Sequence, residues 1–143
     1  MEDLSNYHKL NGLSEKIRER NLWHGTRNTH PKEIYEAFDE GFDLQYSNDG
    51  MWGRGLYFAV NASYSVSYSH TTGNTRLMML VKVMIGDEVK LQPTGSLRKP
   101  PLRNPNGNSK VRYDSVTGFT AGSDVYILYA MRRAYPLYLV EYQ

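Results

Sequence analysis

The 143-residue sequence contains no cysteine. That absence excludes disulfides, thiolate metal ligands, iron–sulfur clusters and a cysteine nucleophile, and it leaves the redox compartment open. No apolar run approaches the ~18 residues of a transmembrane helix, and the amino-terminal MEDLSNYHKL is too polar for a signal peptide. These absences point to an intracellular protein, cytoplasmic or nuclear, with no membrane partner. An excess of one charge is also missing: 17 basic against 15 acidic residues give +2, a weak case for nucleic acid. There is no P-loop and no G-x-S-x-G elbow. Gly53-Arg54-Gly55 lacks the third glycine of a dinucleotide fingerprint. His24, His30 and His70 are not at metal spacing and no carboxylate cluster joins them, so no metal is expected.

What is present is tyrosine, with 12 against 4 phenylalanines. Tyrosine suits sheets and half-wet clefts, which points to a β-rich domain with an aromatic-lined site. The length suits one domain. Charge is uneven along it. Residues 1–50 carry 6 basic and 10 acidic side chains, whereas residues 76–112 carry 8 basic and 2 acidic ones. The second stretch holds four of the six prolines and reads as a long basic loop. Such a loop is either a solvated surface or a segment beside an anionic ligand or acceptor.

Periodicity places a helix near Leu13 to Arg20 and a strand end at Leu22-Trp23-His24. A helix should follow Pro31, with Ile34, Ala37 and Phe38 as its stripe and Gly41 at its end. A strand covers Leu56 to Ala59, and a short helix capped by Asn61 runs toward His70. Leu77 to Ile85, Val125 to Tyr129 and Leu137 to Tyr142, the last entered through Pro136, read as three buried strands. Few early helices and many strands imply an α+β domain with a mainly antiparallel sheet. Residues 1–20 form a polar segment ahead of a domain spanning 21–143.

Three pieces carry chemistry. Leu22-Trp23-His24-Gly25-Thr26 ends an apolar strand in a histidine that can meet a ligand hydroxyl. The bare Gly25 lets a flat ligand dock on main chain able to pair with a carboxamide. Gly53-Arg54-Gly55-Leu56-Tyr57-Phe58-Ala59 is a glycine turn entering an aromatic strand. Tyr113-Asp114-Ser115-Val116 precedes Val125-Tyr126-Ile127-Leu128-Tyr129 and then Ala134-Tyr135-Pro136-Leu137-Tyr138-Leu139-Val140. Each alone is ordinary packing.

In this order and spacing the pieces resemble the catalytic domain of the PARP-type, diphtheria-toxin-like ADP-ribosyltransferases, from about Asn21 to Tyr142. The stretch from Gly53 to Ser65 looks most like the mono-ADP-ribosyltransferase members. The resemblance implies a mainly antiparallel, split-sheet fold and NAD+ as substrate. It implies that His24 meets the adenosine ribose 2′-OH, that Gly25 and Ser65 hold the nicotinamide carboxamide, and that Tyr57 is the triad tyrosine. Tyr68 would stack on the nicotinamide ring, and Thr26, Phe58 and Ala59 would complete the NAD-binding set. The resemblance also implies that the helical regulatory domain of polymerising enzymes would precede this domain, and the 20 residues ahead of Asn21 are expected to be too few to hold it.

Two positions depart from the family. Val125 stands where polymerising members carry a catalytic glutamate, with Asp124 one residue away and facing the other side of the strand. Gln45 stands where many relatives carry an arginine; Arg27, Arg54 or the basic loop are the candidate replacements. Without the glutamate, a ribose hydroxyl lacks a base and elongation should fail, whereas an acceptor carboxylate brings its own charge. The expectation is mono-ADP-ribosylation of protein Asp or Glu side chains, the chain itself among the acceptors. Nucleic-acid phosphate is a less favoured acceptor. The alternative is an inactive NAD- or partner-binding module.

Overall fold

The apolar run from Leu77 becomes β5 (Thr75–Met84), the longest described strand of the sheet, in a computed structural model that describes residues 2–27, 29–36, 42, 44, 47–130 and 132–143. Antiparallel to β5 lie β1 (Glu19–His24) on one side and β9 (Ala134–Tyr142) on the other. β9 bulges opposite Leu80 and Val81, next to Pro136, which has no N–H to give the ladder. β4 (His70–Thr72) adds to the start of β5.

From β1 the sheet runs on through β3 (Gly53–Ala59), β8 (Ser123–Leu128), β7 (Ser115–Thr120) and β6 (Glu88–Lys90), with β2 (Asn48–Gly50) paired to β3. Only β6 and β7 run parallel among the described pairs. Three short helices complete the described elements: α1 (Glu2–Leu10), α2 (Lys32–Tyr35) and α3 (Ala62–Val66). This is the mostly antiparallel α+β architecture expected from the sequence. No helix among the described residues is long and apolar enough to cross a membrane.

Side chains alternate across a strand, so the sheet has two apolar faces. On one face Leu22, Phe42, Phe58, Met79, Val81 and Leu128 pack together. On the other, Trp52, Ala59, Val116, Val125, Ile127 and Tyr129 do so. β5 and β8 read as near-continuous apolar runs because both of their faces are covered, whereas β9, expected to be buried, pairs with β5 alone among the described strands and leaves Leu137, Tyr138 and Leu139 exposed.

The helix expected over Leu13 to Arg20 is not there. Residues 13–18 are irregular, and Glu19 and Arg20 already pair with Met84 and Val83 of β5. Tertiary pairing overrides the helix preference of Glu, Lys and Arg. The helix lies earlier, in α1, and is held by Leu4 and His8, both almost fully buried on one face. Nδ1–H of His8 donates to the Ser14 carbonyl at 2.6 Å, and Nε2 pairs with Asp114 Oδ2 at 2.6 Å. Asp114 also accepts the Asp87 N–H at 2.7 Å and Arg103 at 3.2 Å. The amino-terminal segment is thereby fastened to a residue 106 positions away. Breaking such a buried pair is costly, so His8→Ala should lower unfolding stability by about 3 kcal/mol in urea titrations. A loss under about 0.5 kcal/mol would mean that α1 is not anchored through this contact.

The helix after Asn61 is shorter than expected, because His70 to Thr72 enter the sheet as β4. Asn61 stands at its N-cap without a side-chain cap bond. Its Nδ2 donates instead to the Gly122 carbonyl at 2.9 Å, tying α3 to the β7–β8 hairpin. In α2, Ile34 is buried as expected, whereas Ala37, Phe38 and Gly41 lie outside the described residues.

Candidate active site

A cleft of about 190 Å³ opens where the end of β1, the middle of β3, the exit of α3, the β2–β3 turn and the β7–β8 hairpin meet. β1 delivers His24, whose ring sits 5.0 Å from Phe58 and 5.2 Å from Phe42, centroid to centroid. Nδ1–H donates to the Tyr57 carbonyl at 2.7 Å. A carbonyl only accepts, so the proton sits on Nδ1. Burial lowers the His24 pKa to about 4, outweighing the hydrogen bond that favours the charged form. The ring is neutral at pH 7 and Nε2 carries a lone pair. Nε2 has no partner among the described residues, so it can accept a hydrogen bond from a ligand hydroxyl.

Gly25 follows. A Cβ here would lie 2.4 Å from the Tyr68 carbonyl oxygen and 2.9 Å from that of Ser65. The glycine is therefore required by the main chain leaving α3, which packs against it, rather than by open ligand space as the sequence suggested. Its own N–H and C=O pair with no described main-chain group and remain free to hold an amide. The α3 exit is fixed by two bonds, Tyr68 N–H to Ser65 O at 2.9 Å and Arg27 N–H to Tyr68 O at 2.8 Å. It brings Ser65 and Tyr68 to the cleft wall, and the Ser65 hydroxyl has no described partner. The Arg27 guanidinium lies 4.4 Å from the Tyr68 ring centroid, and Tyr64 leans on the same ring at 5.2 Å. Burial pushes the Tyr64 phenol well above its usual range.

Tyr57 offers the cleft its ring. Its hydroxyl donates to the Gly53 carbonyl at 2.7 Å and accepts the Trp52 N–H at 2.9 Å, and burial raises its pKa. That hydroxyl clamps the β2–β3 turn and is poorly placed to move protons. Trp52 wedges beneath it. The indole N–H donates to the Leu91 carbonyl at 3.0 Å, and its six-membered ring lies so close to Gly118 that a Cβ there would stand 2.0 Å away. The Trp52 carbonyl accepts the Tyr129 hydroxyl at 2.5 Å.

The structure thus gathers His24, Gly25, Tyr57, Ser65 and Tyr68 around one cleft. It leaves four expected residues off the lining. The Thr26 hydroxyl donates to the Thr29 carbonyl at 2.5 Å and closes a turn. Phe58 is fully buried on the face of β3 opposite Tyr57, where it backs the His24 ring. Ala59 and Val125 are paired across β3 and β8, both 0% exposed, within the apolar cluster around Trp52. Asp124 is exposed on the other face, opposite Phe119. Gln45 lies outside the described residues. Arg54 is exposed and lies 3.4 Å from Asp49.

The basic loop buttresses the turn from behind. Leu97 O accepts the Arg54 N–H at 3.1 Å, and Met51 O accepts the Thr94 N–H at 2.8 Å. None of its Lys or Arg side chains lines the cleft. Sequence reasoning missed Asp49, Trp52, Tyr64, Thr120 and Ala121, which do. Asp49 is the one carboxylate on the lining among the described residues, and its side chain is 72% exposed. The donor atoms of His8, Asp87 and Asp114 lie within 4.8 Å of one another, a spacing that can suit a metal. Arg103, however, already bridges the two carboxylates, at 2.7 Å and 3.2 Å, and the cluster serves the fold.

An imidazole with Nε2 open as an acceptor, a glycine main chain and a serine hydroxyl without described partners, and flanking tyrosines can together accept a hydroxyl, pair with an amide and face a planar ring. The chain belongs to the poly(ADP-ribose) polymerase catalytic domain family, whose pattern it matches over residues 2–143. It is 37% identical over 87% of its length to a Dictyostelium discoideum protein named as a probable poly(ADP-ribose) polymerase, covering 34% of that protein. It is 31% identical to the mouse protein mono-ADP-ribosyltransferase PARP12, covering 94% of this chain and 18% of that one. Identity to the human protein mono-ADP-ribosyltransferase PARP14 is also 31%, covering 90% and 7%. The chain spans about a third or less of the length of these three relatives.

Proposed function

We propose that the chain transfers a single ADP-ribose unit from NAD+ to the carboxylate of a protein Asp or Glu, releasing nicotinamide. Gly25 main chain and the Ser65 hydroxyl grip the carboxamide, and Tyr57 and Tyr68 flank the ring. Neutral His24 accepts a ribose hydroxyl at Nε2. The bond from ribose C1′ to the nicotinamide nitrogen breaks, and its electron pair leaves with neutral nicotinamide. An acceptor carboxylate oxygen then bonds to C1′, needing no proton removed.

The observation that carries this reading is the burial of Val125 in apolar surroundings. β8 offers the cleft no carboxylate, so a ribose hydroxyl arriving as acceptor finds no base there. Asp49 is solvated and beside Arg54, which suits it poorly to that task. Two of the relatives above are named as mono-ADP-ribosyltransferases, which supports a single transfer.

Binding comes first in the test. A ligand at 100 times its Kd stabilises the fold by about 2.7 kcal/mol, so NAD+ and nicotinamide analogues should raise Tm. Tyr68→Ala removes the stacking face and should weaken binding about tenfold in the same thermal-shift titration. No shift at millimolar ligand would mean that the cleft does not hold nicotinamide. A shift without transfer would identify a binding module that does not turn over.

A further inference from the structure

A second hollow of about 270 Å³ shares no lining residue with the cleft. Tyr7 of α1, Lys99 and Arg112 of the basic loop, and Arg133 from the β8–β9 connection converge on it, with Tyr113 and Tyr129. The one carboxylate on its wall, Asp114, is already engaged by His8, Arg103 and the Asp87 N–H. Three cations therefore face the hollow without a carboxylate to balance them.

Their donors are largely unspent. A guanidinium has five N–H groups. Arg133 makes one long contact, to the Asp114 carbonyl at 3.4 Å, and Arg112 one bond, to the Pro100 carbonyl at 2.7 Å. Lys99 has no partner among the described residues. Burial works against the Arg133 charge and lowers its pKa, with Asp114 compensating only in part. A solvated basic surface would not hold an arginine half-buried with its donors unused.

Two of the three tyrosines on the hollow are equally uncommitted, whereas the Tyr129 hydroxyl is held by the Trp52 carbonyl. The hydroxyls of Tyr7 and Tyr113 have no described partner, and Arg103 braces the Tyr113 ring from 5.4 Å. A ring stacked here would meet hydroxyls able to bond the edge of a base or a ribose. A plain phenyl ring has no such groups to offer in return. The volume is near the lower end for ligand pockets, ~300–1,000 Å³, which suits one nucleotide unit rather than a dinucleotide.

We propose that this hollow is a second binding site, for a nucleoside 5′-monophosphate, with the phosphate held by Arg133, Arg112 and Lys99 and the base against the tyrosines. The site is independent of the NAD+ reading. The test is calorimetric titration of the full chain with AMP, GMP and UMP while a non-hydrolysable NAD+ analogue saturates the cleft. Nucleotide binding should persist in the presence of the analogue, and His24→Phe should leave it unchanged. Arg133→Gln and Lys99→Gln should each weaken it at least about tenfold, and Lys99, being exposed, can be replaced without loss of fold. The proposal is overturned if no nucleotide binds, or if Lys99→Gln binds nucleotide as wild type does. It is equally overturned if inorganic phosphate or phosphotyrosine binds as tightly as the nucleotides.

Discussion

His24→Phe should reduce ADP-ribose transfer at least about 100-fold while leaving a folded protein. The ring keeps its packing between Phe42 and Phe58, but the Nε2 acceptor is gone. A ribose hydroxyl then enters a dry site without a partner, which costs the bond and its desolvation together. His24→Ala is the poorer variant, because truncating a side chain buried to this degree also leaves a cavity. The same residue sets a pH dependence. Its folded pKa, about 4, lies below the ordinary 6.5, so the unfolded chain binds the extra proton between those values. The stability it contributes is complete above pH 6.5 and is lost as pH falls toward 4, a difference of roughly 3 kcal/mol. Urea unfolding at pH 7 and pH 4.5 should therefore show a steeper loss in wild type than in His24→Phe. Equal losses would place the acid sensitivity elsewhere.

Trp52→Ala should cost 3–5 kcal/mol, a range typical of a large aromatic removed from a core. The indole is almost fully buried, packs closely against Gly118 and donates to the Leu91 carbonyl. It is also what the β2–β3 turn rests on. Without it the Tyr57 hydroxyl keeps both of its main-chain partners, but the turn loses its floor and the indole's bond to Leu91. NAD+ binding should fall along with stability, read as the vanishing of the ligand-induced Tm shift under conditions where the variant is still folded. Retention of the full shift would show that the turn holds its place without the indole.

Trp52 also shows where the sequence ceases to be legible. Leu77 to Ile85 and Val125 to Tyr129 announce themselves because β5 and β8 are covered on both faces. His24, Tyr57, Ser65 and Tyr68 were found through motif resemblance, since their spacing survives in a single chain. Trp52 gives no such signal: its role comes from Leu91, Gly118 and Tyr129, which are distant in sequence. His8 is hidden for the same reason, its partner Asp114 being 106 residues on. Three-residue strands such as β2, β4 and β6 carry too little pattern to read. The segment before β1 misled because Glu, Lys and Arg favour helix locally, whereas pairing with β5 decided the outcome. Even a correct motif residue can hold a different place than expected, as Phe58 does behind the imidazole and Val125 does beneath Trp52.

That position of Val125 makes Val125→Glu a poor way to restore elongation, since the new carboxylate would be buried among Trp52, Ala59 and Ile127. The direct test is the size of the product. The full chain is incubated with isotopically labelled NAD+ and an acidic acceptor protein, the modified sites are digested, and the released nucleotide is weighed by mass spectrometry. One ADP-ribose per site, on Asp or Glu and labile to hydroxylamine, is the expected result. Ladders of ADP-ribose, or label on no protein at all, would contradict it.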